Sequence, residues 1–495
     1  MAVVYLFFLL LSVFLLFKRN SRGREVKLPP GPSQFPIVGN LRELREVTHR
    51  SLRSLSKKYG SSLVFLKLGR RPLLVVSSAD MAREVMKTLD LHFCNRPSFL
   101  AHSKFTYNRL DVGFSEYGPR WRELRKISII ELLTAKRVRS FSSIRREKVA
   151  EMIRAISASS SASVDLSKMF LALANDVVLG AAFGKSFREE ERYLQTKLHT
   201  AMDETRILMS DFFFTDYFPE QLGWVFDVLT GRYARLKKTC AEMDSFLEKI
   251  IQEHLDRRNP EQEDFVDVML RLNRDRHLTR EEVKGLFMNI LIGGTDTSTA
   301  VLEWTMTELM KNPAAMAKAQ RELRTAVRGK HQVEEDDLPC FEFLNAVIKE
   351  TMRLYPPAPV LIPRETTHPI DIAGYEIPPK TTVFVNAFAI GRDPEIWPDP
   401  EEFVPERFEK SPVDYRGRDF GLIPFGAGRR GCPGIDFGMT ALQLPLANLL
   451  YCFDWELPEG MSREELDRDE SYGIIVKRKN PLRLVPKKSI HMQKF

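Results

Sequence analysis

The chain of 495 residues has few cysteines and no dense cysteine framework. Its five cysteines are widely scattered and include no CxxC pair, a pattern that favours a reducing compartment. The sequence also lacks an internal repeat and any collagen-like or disordered bias. With 43% hydrophobic and 28% charged residues it can form a core of normal density.

A strong charge of one sign is missing as well, because the formal net charge is only +8. Residues 18–27 contain five basic side chains and one acidic one, which leaves the remaining excess spread over the rest of the chain. That excess is too dilute to indicate nucleic acid as a partner. A local basic face could still dock an acidic protein.

The N-terminus begins with an almost unbroken apolar run from Ala2 to Phe17. As a helix, this run would reach roughly 24 Å, at the short end for a membrane span. A cleaved signal peptide is the alternative, but no basic residue precedes the run and no A-x-A-like site closes it. The basic cluster follows the run, so the positive-inside rule places the rest of the chain in the cytosol. Residues 1–17 are therefore predicted to be a transmembrane signal anchor.

Residues 18–32 follow as a basic and proline-rich segment that ends in Leu28-Pro29-Pro30-Gly31-Pro32. Because proline fixes φ and has no amide donor, this segment predicts a stiff, non-helical spacer. Length alone suggests two or three domains. We nevertheless assign residues 33–495 to one large catalytic domain.

Helical patterns greatly outnumber strand patterns. Asn312-Pro313 is a helix start, and that helix should run to Gly329. Another helix should end at Tyr355, because prolines follow it closely. Strands are predicted at 64–66, 73–76, 370–377 and 382–386, and a loop at 157–163. The expected class is mainly α with a small β-sheet.

The segment from Phe425 to Gly434 combines four glycines with a single cysteine, Cys432. So many glycines indicate unusual backbone angles or a close approach. With Arg429 and Arg430 beside it, and an apolar helical pattern following, Cys432 could be kept as a thiolate whose sulfur accepts amide N–H groups. The alternative is a glycine-rich turn with an incidental cysteine.

A second motif, residues 293–298, reads Gly-Gly-Thr-Asp-Thr-Ser inside a long helical pattern. That helix should open with a capping box of Thr279 and Glu282 and close before Pro313. Two adjacent glycines cost a helix roughly 2 kcal/mol relative to alanine, and a local kink is the expected result. Read alone, Asp296 and Thr297 are a buried polar pair in a weakened helix.

Together these motifs resemble the cytochrome P-450 monooxygenases. The cysteine loop matches every fixed position of the family's haem-binding pattern F-G-x-G-x-R-x-C-x-G, and residues 293–298 resemble its oxygen-binding groove. The resemblance implies that Cys432 is the axial thiolate of haem iron, that Phe425 packs by the sulfur, and that Arg430 pairs a haem propionate. It also makes Thr297 the hydroxyl that steers protons to iron-bound dioxygen, with Asp296 the acidic member of that relay.

Further residues resemble other parts of the same family. Glu350, Arg353 and Arg407 correspond to its Glu/Arg/Arg structural triad, and Trp121 and Arg125 to its W-x-x-x-R helix. Further propionate contacts are implied at two more arginines, Arg96 and Arg364. The substrate pocket is expected to include Phe99, Phe105, Phe212, Asn289, Val360, Leu361 and Tyr472.

The resemblance covers essentially the whole chain and is closest to microsomal enzymes of plant specialised metabolism. It implies haem b, a lipophilic small-molecule substrate, and attachment to the endoplasmic reticulum membrane by a single pass. Because no dinucleotide-binding site and no flavin domain is visible in the sequence, electrons must come from outside the chain, and the resemblance implies a membrane-bound NADPH-dependent flavoprotein reductase as their source. Two alternatives remain open: an isomerase or dehydratase of the same fold that does not use dioxygen, and a haem-binding sensor without turnover.

Overall fold

The computed structural model describes residues 27–44, 48–159, 163–184, 192–256, 263–275 and 277–489, with side chains left out at 192–197. The predicted anchor at 1–17 lies outside the described residues, as do the first nine residues of the predicted spacer and part of the predicted loop at 157–163. The described chain is mainly α-helical with small sheets, as the sequence predicts.

The α-helices fall in two groups, before and after the longest one. The first group comprises α1 (Thr48–Tyr59), α2 (Ala79–Arg83), α3 (Asp90–Phe93), α4 (Leu100–Phe105), α5 (Pro119–Ile127), α6 (Ala135–Ser140), α7 (Ser142–Ser157), α8 (Leu166–Phe183), α9 (Arg192–Ser210), α10 (Phe214–Tyr217), α11 (Glu220–Leu229), α12 (Arg232–Asp256) and α13 (Phe265–Arg274). The second comprises α14 (Arg280–Lys311), α15 (Pro313–Ala326), α16 (Glu342–Leu354), α17 (Ala387–Ile390) and α18 (Ile435–Cys452). Short π-helical turns lie at Glu84–Thr88 and Ser128–Leu132, and 3-10 turns at Leu41–Glu43, Glu335–Cys340, Pro405–Phe408 and Gly428–Arg430.

The largest sheet has four strands. The strands of the chain are β1 (Leu63–Leu68), β2 (Arg71–Val76), β3 (Val164–Asp165), β4 (Arg364–Glu365), β5 (Ile370–Ile372), β6 (Tyr375–Ile377), β7 (Thr382–Val385), β8 (Phe453–Glu456) and β9 (Arg483–Lys488). The four-stranded sheet has the order β1-β2-β7-β4, in which only β2 and β7 are parallel. A second sheet has the order β3-β9-β8, and β5 pairs with β6 alone.

The strand predicted at 370–377 was wrong, because it is two short strands and not one. The pattern at 370–377 predicts a single strand, but the structure folds it into the β5–β6 hairpin. The two turn residues, Ala373 and Gly374, have φ of 51° and 77°. A left-handed pair of this kind reverses the chain within two residues, so the glycine was the signal that the run breaks.

Helix α14 runs through the core and stays α-helical through the adjacent Gly293 and Gly294. Its start is the predicted capping box, in which Thr279 and Glu282 bond each other's backbone amides. It packs closely on α8, because a Cβ added at Gly294 would lie 2.7 Å from Val178 Cγ2. Among the described residues α8 is the one helix long and apolar enough to cross a membrane, yet 67% of it is buried inside the fold.

The proline-rich end of the predicted spacer lies on the sheet. The Phe65 amide donates to the Pro30 carbonyl at 3.0 Å, and a Cβ at Gly31 would lie 2.1 Å from the Phe65 oxygen. The Glu376 amide likewise donates to the carbonyl of Lys27. Residues 27–32 therefore pack against the folded body in this structure, which differs from a free-standing spacer.

Candidate functional site

The loop from Phe425 to Gly434 is a tight turn that leads into α18. Gly426 and Gly428 have φ of 66° and 69°. A Cβ at Gly428 would lie 2.0 Å from the Met86 carbonyl oxygen, so the loop can approach the neighbouring π-helical turn only with glycine there. The Cys432 amide donates to the Phe425 carbonyl at 2.9 Å and closes the turn.

The Cys432 residue is exposed, yet enough protein surrounds its thiol to raise the pKa, as expected for a thiol in the wall of an internal cleft. The Gly434 amide donates to Sγ at 3.4 Å. Burial raises the pKa of the Cys432 thiol, while the Gly434 amide and the Arg125 charge act in the opposite direction. Since burial dominates, a bound cation has to supply the rest of the stabilisation of a thiolate.

The two arginines beside Cys432 turn away from its sulfur, contrary to the expectation that they hold the thiolate. Arg430 is buried and donates to the carbonyls of Cys94 and Ser115, at 2.7 Å each. Arg429 reaches outward to the carboxylate of Asp90 at 3.1 Å. The cation that acts on the sulfur is Arg125, from α5.

Four of the arginines singled out by sequence meet around this loop. Arg125 donates to the Gly431 carbonyl at 2.7 Å, and Arg364 donates to the Ala427 carbonyl at 2.8 Å. Arg430 lies 4.2 Å from the ring centre of Trp121, whose indole nitrogen donates to the Val112 carbonyl. The fourth, Arg96, is buried and donates to the carbonyls of Gly113, Ile362 and Pro363.

These four guanidinium groups are short of anions. Burial and mutual repulsion lower the pKa of Arg96, and the same two causes act on Arg430, whose pKa falls to about 10. The carboxylates that act on the group are Asp90 and Asp111. Two further carboxylates would balance the four charges, and arginine binds carboxylates in preference to other anions. The donor set therefore fits a haem, which carries two propionates and takes a thiolate ligand.

The middle of α14 lies beside the first turns of α18. Gly294 and Ser298 line one cavity together with Phe437 and Thr440 of α18. Gly293 is exposed and Thr297 is partly exposed, although most neighbouring residues of the helix are buried. The Thr297 hydroxyl donates to the Gly293 carbonyl at 2.6 Å, so its oxygen can still accept another hydrogen bond.

Asp296 lies in an ion cluster that spans three segments. Arg206 of α9 and Lys477 of the β8–β9 connection both donate to its Oδ1, each at 2.9 Å. Its exposed fraction is 8%. The sequence predicts an acidic group beside Thr297, but neither of its two cationic partners.

Glu350, Arg353 and Arg407 form a second ion cluster. Arg353 pairs with Glu350 through two hydrogen bonds of 2.7 and 2.8 Å, and Arg407 donates to the same carboxylate at 3.0 Å. Arg353 also donates to the carbonyls of Gly391 and Pro400, which lie before the cysteine loop in the chain. The cluster thus fastens α16 to the segment that leads to that loop.

The predicted pocket residues differ in what they contact. Phe105 is only 2% exposed and belongs to the main core, whereas Tyr472 is 62% exposed. Phe212 stacks on Tyr217 with ring centres 4.7 Å apart. Intermediate exposure is found at Phe99, Phe212, Val360 and Leu361.

Asn289, another predicted pocket residue, has its side chain engaged in holding a loop. Its Oδ1 accepts the amides of Val112 and Gly113, and its Nδ2 donates to Asp111 at 2.7 Å. Burial raises the pKa of Asp111 to about 6, against the opposing hydrogen bond from Asn289. The side-chain amide of Asn289 therefore fixes the 106–117 loop on α14.

That loop contains three successive residues in the left-handed region: Tyr107, Asn108 and Arg109, with φ of 51°, 60° and 65°. None is glycine, so each costs about 1–3 kcal/mol. The Tyr107 hydroxyl donates to Asp244 at 2.8 Å, and Arg109 donates to the Arg96 carbonyl. These bonds hold the turn beside the arginine cluster.

Sequence reasoning missed the residues that act only through distant contacts. Asp111, Arg206 and Lys477 each look like an ordinary surface charge in the sequence. His102 is a further case: it is buried and stacks on Phe114, with the ring centres 4.4 Å apart. Burial lowers its pKa to about 4. No single-position signal would have identified these residues.

Comparison with known proteins gives consistent results. The cytochrome P-450 family model matches residues 29–485. Strychnine-11-hydroxylase from Strychnos nux-vomica is 48% identical over 96% of this chain and 94% of its own length. Cytochrome P-450 71A1 from Persea americana is also 48% identical, over 97% of each chain. The 6,7,8-trihydroxycoumarin synthase from Pastinaca sativa is 43% identical over 99% of each.

Among solved structures, a zebra fish cytochrome P-450 with abiraterone superposes with a TM-score of 0.76. It is 25% identical, and the alignment covers 90% of this chain and all of that one. The glycine-rich cysteine loop, the arginine cluster and the relatives agree: the chain belongs to the cytochrome P-450 family and is a haem-dependent monooxygenase.

Proposed function

We propose that this monooxygenase hydroxylates a lipophilic small molecule of plant specialised metabolism, with Cys432 as the axial ligand of haem iron. The observation that carries the proposal is the exposed Cys432, whose thiol accepts the Gly434 amide in the glycine-rich loop. When bound, the haem supplies the activation of dioxygen. The catalytic domain is assigned to residues 33–495, with the proline-rich segment 27–32 before it packed on the sheet.

The residues around the cleft would hold the cofactor in three ways. Cys432 supplies the iron ligand, and the Gly434 amide moderates the charge on its sulfur. Trp121 and Phe425 provide aromatic packing beside the loop. The propionate carboxylates are assigned to Arg96, Arg125, Arg364 and Arg430, whose mutual repulsion they would relieve.

We assign proton handling to Thr297 and Asp296. The Thr297 hydroxyl is partly exposed at the centre of α14 and has an acceptor, Gly293 O, on its own helix. With its hydrogen on that carbonyl, the hydroxyl oxygen is left to accept a hydrogen bond, so it can position a proton donor in the cleft. Asp296 lies next in the helix and is held by two cations, which keep its carboxylate in place.

The relatives support a hydroxylation. One is named for hydroxylating strychnine and another for making a trihydroxycoumarin. The predicted pocket residues of intermediate exposure are Phe99, Phe212, Val360 and Leu361, all apolar, which favours a lipophilic ligand. Asn289 is excluded from direct substrate hydrogen bonding in this proposal, because its amide already holds Asp111 and two backbone amides.

Electrons are proposed to come from an NADPH–cytochrome reductase at the endoplasmic reticulum membrane. Helix α5, which places Arg125 on the cysteine loop, has Arg122 and Lys126 exposed on its outer side. Arg429 adds a third basic side chain to this surface, and 45% of that side chain is exposed. A basic face next to the iron ligand suits an acidic redox partner.

Membrane attachment by a single N-terminal pass, with the domain in the cytosol, completes the proposal. A second contact is supported by α11, where Gly223 and Asp227 face the protein and six apolar residues face outward. These six are 42–76% exposed: Leu222, Trp224, Val225, Phe226, Val228 and Leu229. An apolar face of this kind is typical of a helix that lies in a membrane interface.

The ligand assignment is tested by Cys432→Ser. A hydroxyl donates far less electron density than a thiolate, so the red-shifted Soret band of the reduced carbon monoxide complex should disappear. Cys340→Ser is the matched control, because Cys340 is also exposed and should leave the band unchanged. Loss of the band in the control, with its retention in Cys432→Ser, would show that the ligand is misassigned.

Membrane attachment is tested by deleting residues 1–26 and, separately, by adding Phe226→Ser and Leu229→Ser to that deletion. The deletion should leave part of the protein on membranes, and the added changes should release it. The carbon monoxide spectrum should stay normal throughout, since none of the residues assigned to the haem lies in either segment. Full release by the deletion alone would remove α11 from the proposal.

A further inference from the structure

The connection between β8 and β9, residues 457–482, is described throughout and contains no helix or strand. A connection of this length is usually either functional or disordered. Its central part is ordered, because residues 469–479 form a short hairpin. Glu470 and Arg478 pair in an isolated β-bridge, with one backbone hydrogen bond on either side of it. This bridge marks the base of the hairpin, and residues 472–476 form its tip.

The tip of the hairpin contacts two other segments. The Ile474 amide donates to the Ser210 hydroxyl at the end of α9, at 3.0 Å. The Val476 amide donates to the Pro357 carbonyl at 2.9 Å. Each contact lies within three residues of a predicted pocket position in the same segment. The tip, which carries Tyr472, therefore lies between two segments that are assigned to the substrate pocket.

One ion pair fixes the base of the hairpin to α1. Arg50 donates to both carboxylate oxygens of Glu470, at 2.8 Å each, and His49 Nε2 lies 3.1 Å from one of them. Burial acts to raise the pKa of Glu470, but the hydrogen bonds from Arg50 and His49 outweigh it and lower the pKa to about 2. Glu470 therefore stays charged at neutral pH, and the pair is kept.

A second ion pair fixes the same base to the far end of α14. Arg468, which lies just before the hairpin, donates to both carboxylate oxygens of Glu308 at 2.7 Å each. Glu308 is fully buried and also accepts the Tyr355 hydroxyl at 2.7 Å. Paired hydrogen bonds between arginine and a carboxylate fix both direction and distance. The base is thus held from two helices that are far apart in the chain.

We propose that the Arg50–Glu470 and Arg468–Glu308 pairs position the substrate, because they fix the base of the hairpin and so hold its tip against a lipophilic ligand in the cleft. The inference rests on the proposed substrate pocket, which includes Tyr472. All four are positioning residues, since they act through the hairpin. A site that is fixed before the ligand arrives loses less entropy on binding. Loosening the base should therefore weaken the binding of any ligand that reaches the tip.

The test uses two iron-binding probes and the haem-loaded protein. The imidazole nitrogen of each probe binds the haem iron. In 1-octylimidazole an alkyl tail extends into the apolar pocket, whereas 1-methylimidazole has no such tail. The ratio of the two Kd values, from titration of the Soret band, isolates the part of binding that comes from the pocket. Changes in haem content or at the iron affect both probes alike and cancel in this ratio.

Arg50→Met and Arg468→Met should each weaken the binding of 1-octylimidazole, relative to 1-methylimidazole, by about threefold. The double variant should lose more than the two single changes combined, because each pair still holds the hairpin when the other is removed. Each carboxylate keeps another hydrogen-bond partner in these variants, so the protein should still fold and bind haem. An unchanged ratio in the double variant would overturn the proposal.

Arg120→Met is the matched control. Arg120 donates to both carboxylate oxygens of Glu282, and the two side chains are 42% and 4% exposed. The corresponding values for the two hairpin pairs are 48% and 4%, and 47% and 0%. Glu282 lies in the first turn of α14, about 39 Å along the helix from Glu308. The control should lower the Tm as much as the hairpin variants do but leave the probe ratio unchanged. An equal change of ratio in the control would show that lost stability alone explains the effect.

Tyr472→Ala separates the inference from the proposed pocket. If Tyr472→Ala weakens the relative binding of 1-octylimidazole and the arginine variants do not, the role of the ion pairs is overturned and the pocket stands. If Tyr472→Ala leaves the ratio unchanged, the tip does not contact the ligand, and both the inference and that part of the pocket fail. The iron ligand is tested independently by the carbon monoxide spectrum of Cys432→Ser.

Discussion

The ion clusters around Glu350 and Asp296 each join one buried carboxylate to two cations, but they use their oxygen atoms differently. Both oxygens of Glu350 are occupied, by Arg353, Arg407 and the Val404 amide. At Asp296 both cations share Oδ1, and the carboxylate borders a cavity. The Glu350 cluster is suited to holding the fold, whereas the Asp296 cluster leaves one carboxylate oxygen open to a further donor, as the proposed proton relay requires.

The surroundings of the two clusters follow the same distinction. The side chains of Glu350 and Arg353 have no exposed surface, and Arg353 is further fixed by the carbonyls of Gly391 and Pro400. Around Asp296, the Arg206 side chain is 28% exposed and that of Lys477 is 16% exposed. A charge fixed by many buried bonds is costly to disturb, while a partly solvated one adapts.

The largest expected effect comes from breaking the Glu350 cluster with Arg353→Met. Removing one partner of a buried ion pair typically costs about 3–5 kcal/mol, because the other charge stays buried. The variant should therefore fold poorly and bind little haem, as measured by thermal unfolding and by the carbon monoxide spectrum. Arg407→Met should be milder, since Arg407 is the more exposed partner. Normal haem content in Arg353→Met would contradict the structural role.

A smaller effect on the fold, but a clear one on catalysis, is expected from Thr297→Ala. Alanine is a good helix former, so stability and the carbon monoxide spectrum should persist. The ratio of product to NADPH consumed should fall severalfold, because proton delivery loses its positioned hydroxyl. Thr297→Ser should retain most of the ratio. The control is Thr299→Ala, whose hydroxyl makes the same kind of helix bond away from the cleft.

The smallest effects are expected from the two cations of Asp296. Because each bonds the same oxygen, Lys477→Met or Arg206→Met alone should change the product ratio by less than about twofold. The double variant should lose more than the sum of the two, as expected for partners in one network. Additive losses would show that the cations act independently, and so would weaken the contrast between the clusters.

The sequence predicted the local features of the fold well. Proline and capping signals located the starts of α14 and α15 and the end of α16, because these signals act within one helical turn. The strands predicted at 64–66 and 73–76 lie within β1 and β2. The strand predicted at 382–386 matches β7 but extends one residue past its end. The break in the 370–377 strand was missed, since the alternation of apolar and polar residues resumes after the turn and Gly374 was not given enough weight.

The site was predictable only where a motif is contiguous. Cys432 and the pair at 296–297 stand out because their unusual residues are neighbours in the chain. The bond from Asn289 to Asp111 joins residues 178 positions apart, and the bond from Lys477 to Asp296 joins residues 181 positions apart. Such pairings depend on how whole helices pack, so a single sequence cannot show which surface-like charge will become buried.

The position of Arg206 and Lys477 limits how this enzyme can diverge. Arg206 lies on α9, just ahead of Phe212, and Lys477 lies five residues after Tyr472, so both cations sit on segments assigned to the substrate pocket. A mutation that shifts either segment to admit a new substrate also moves a cation of Asp296. Under the proposed pocket and relay, changes of substrate range and of NADPH economy should therefore be inherited together. Variants selected for a new substrate should first waste reducing power, and recover it through later changes near residues 206 and 477.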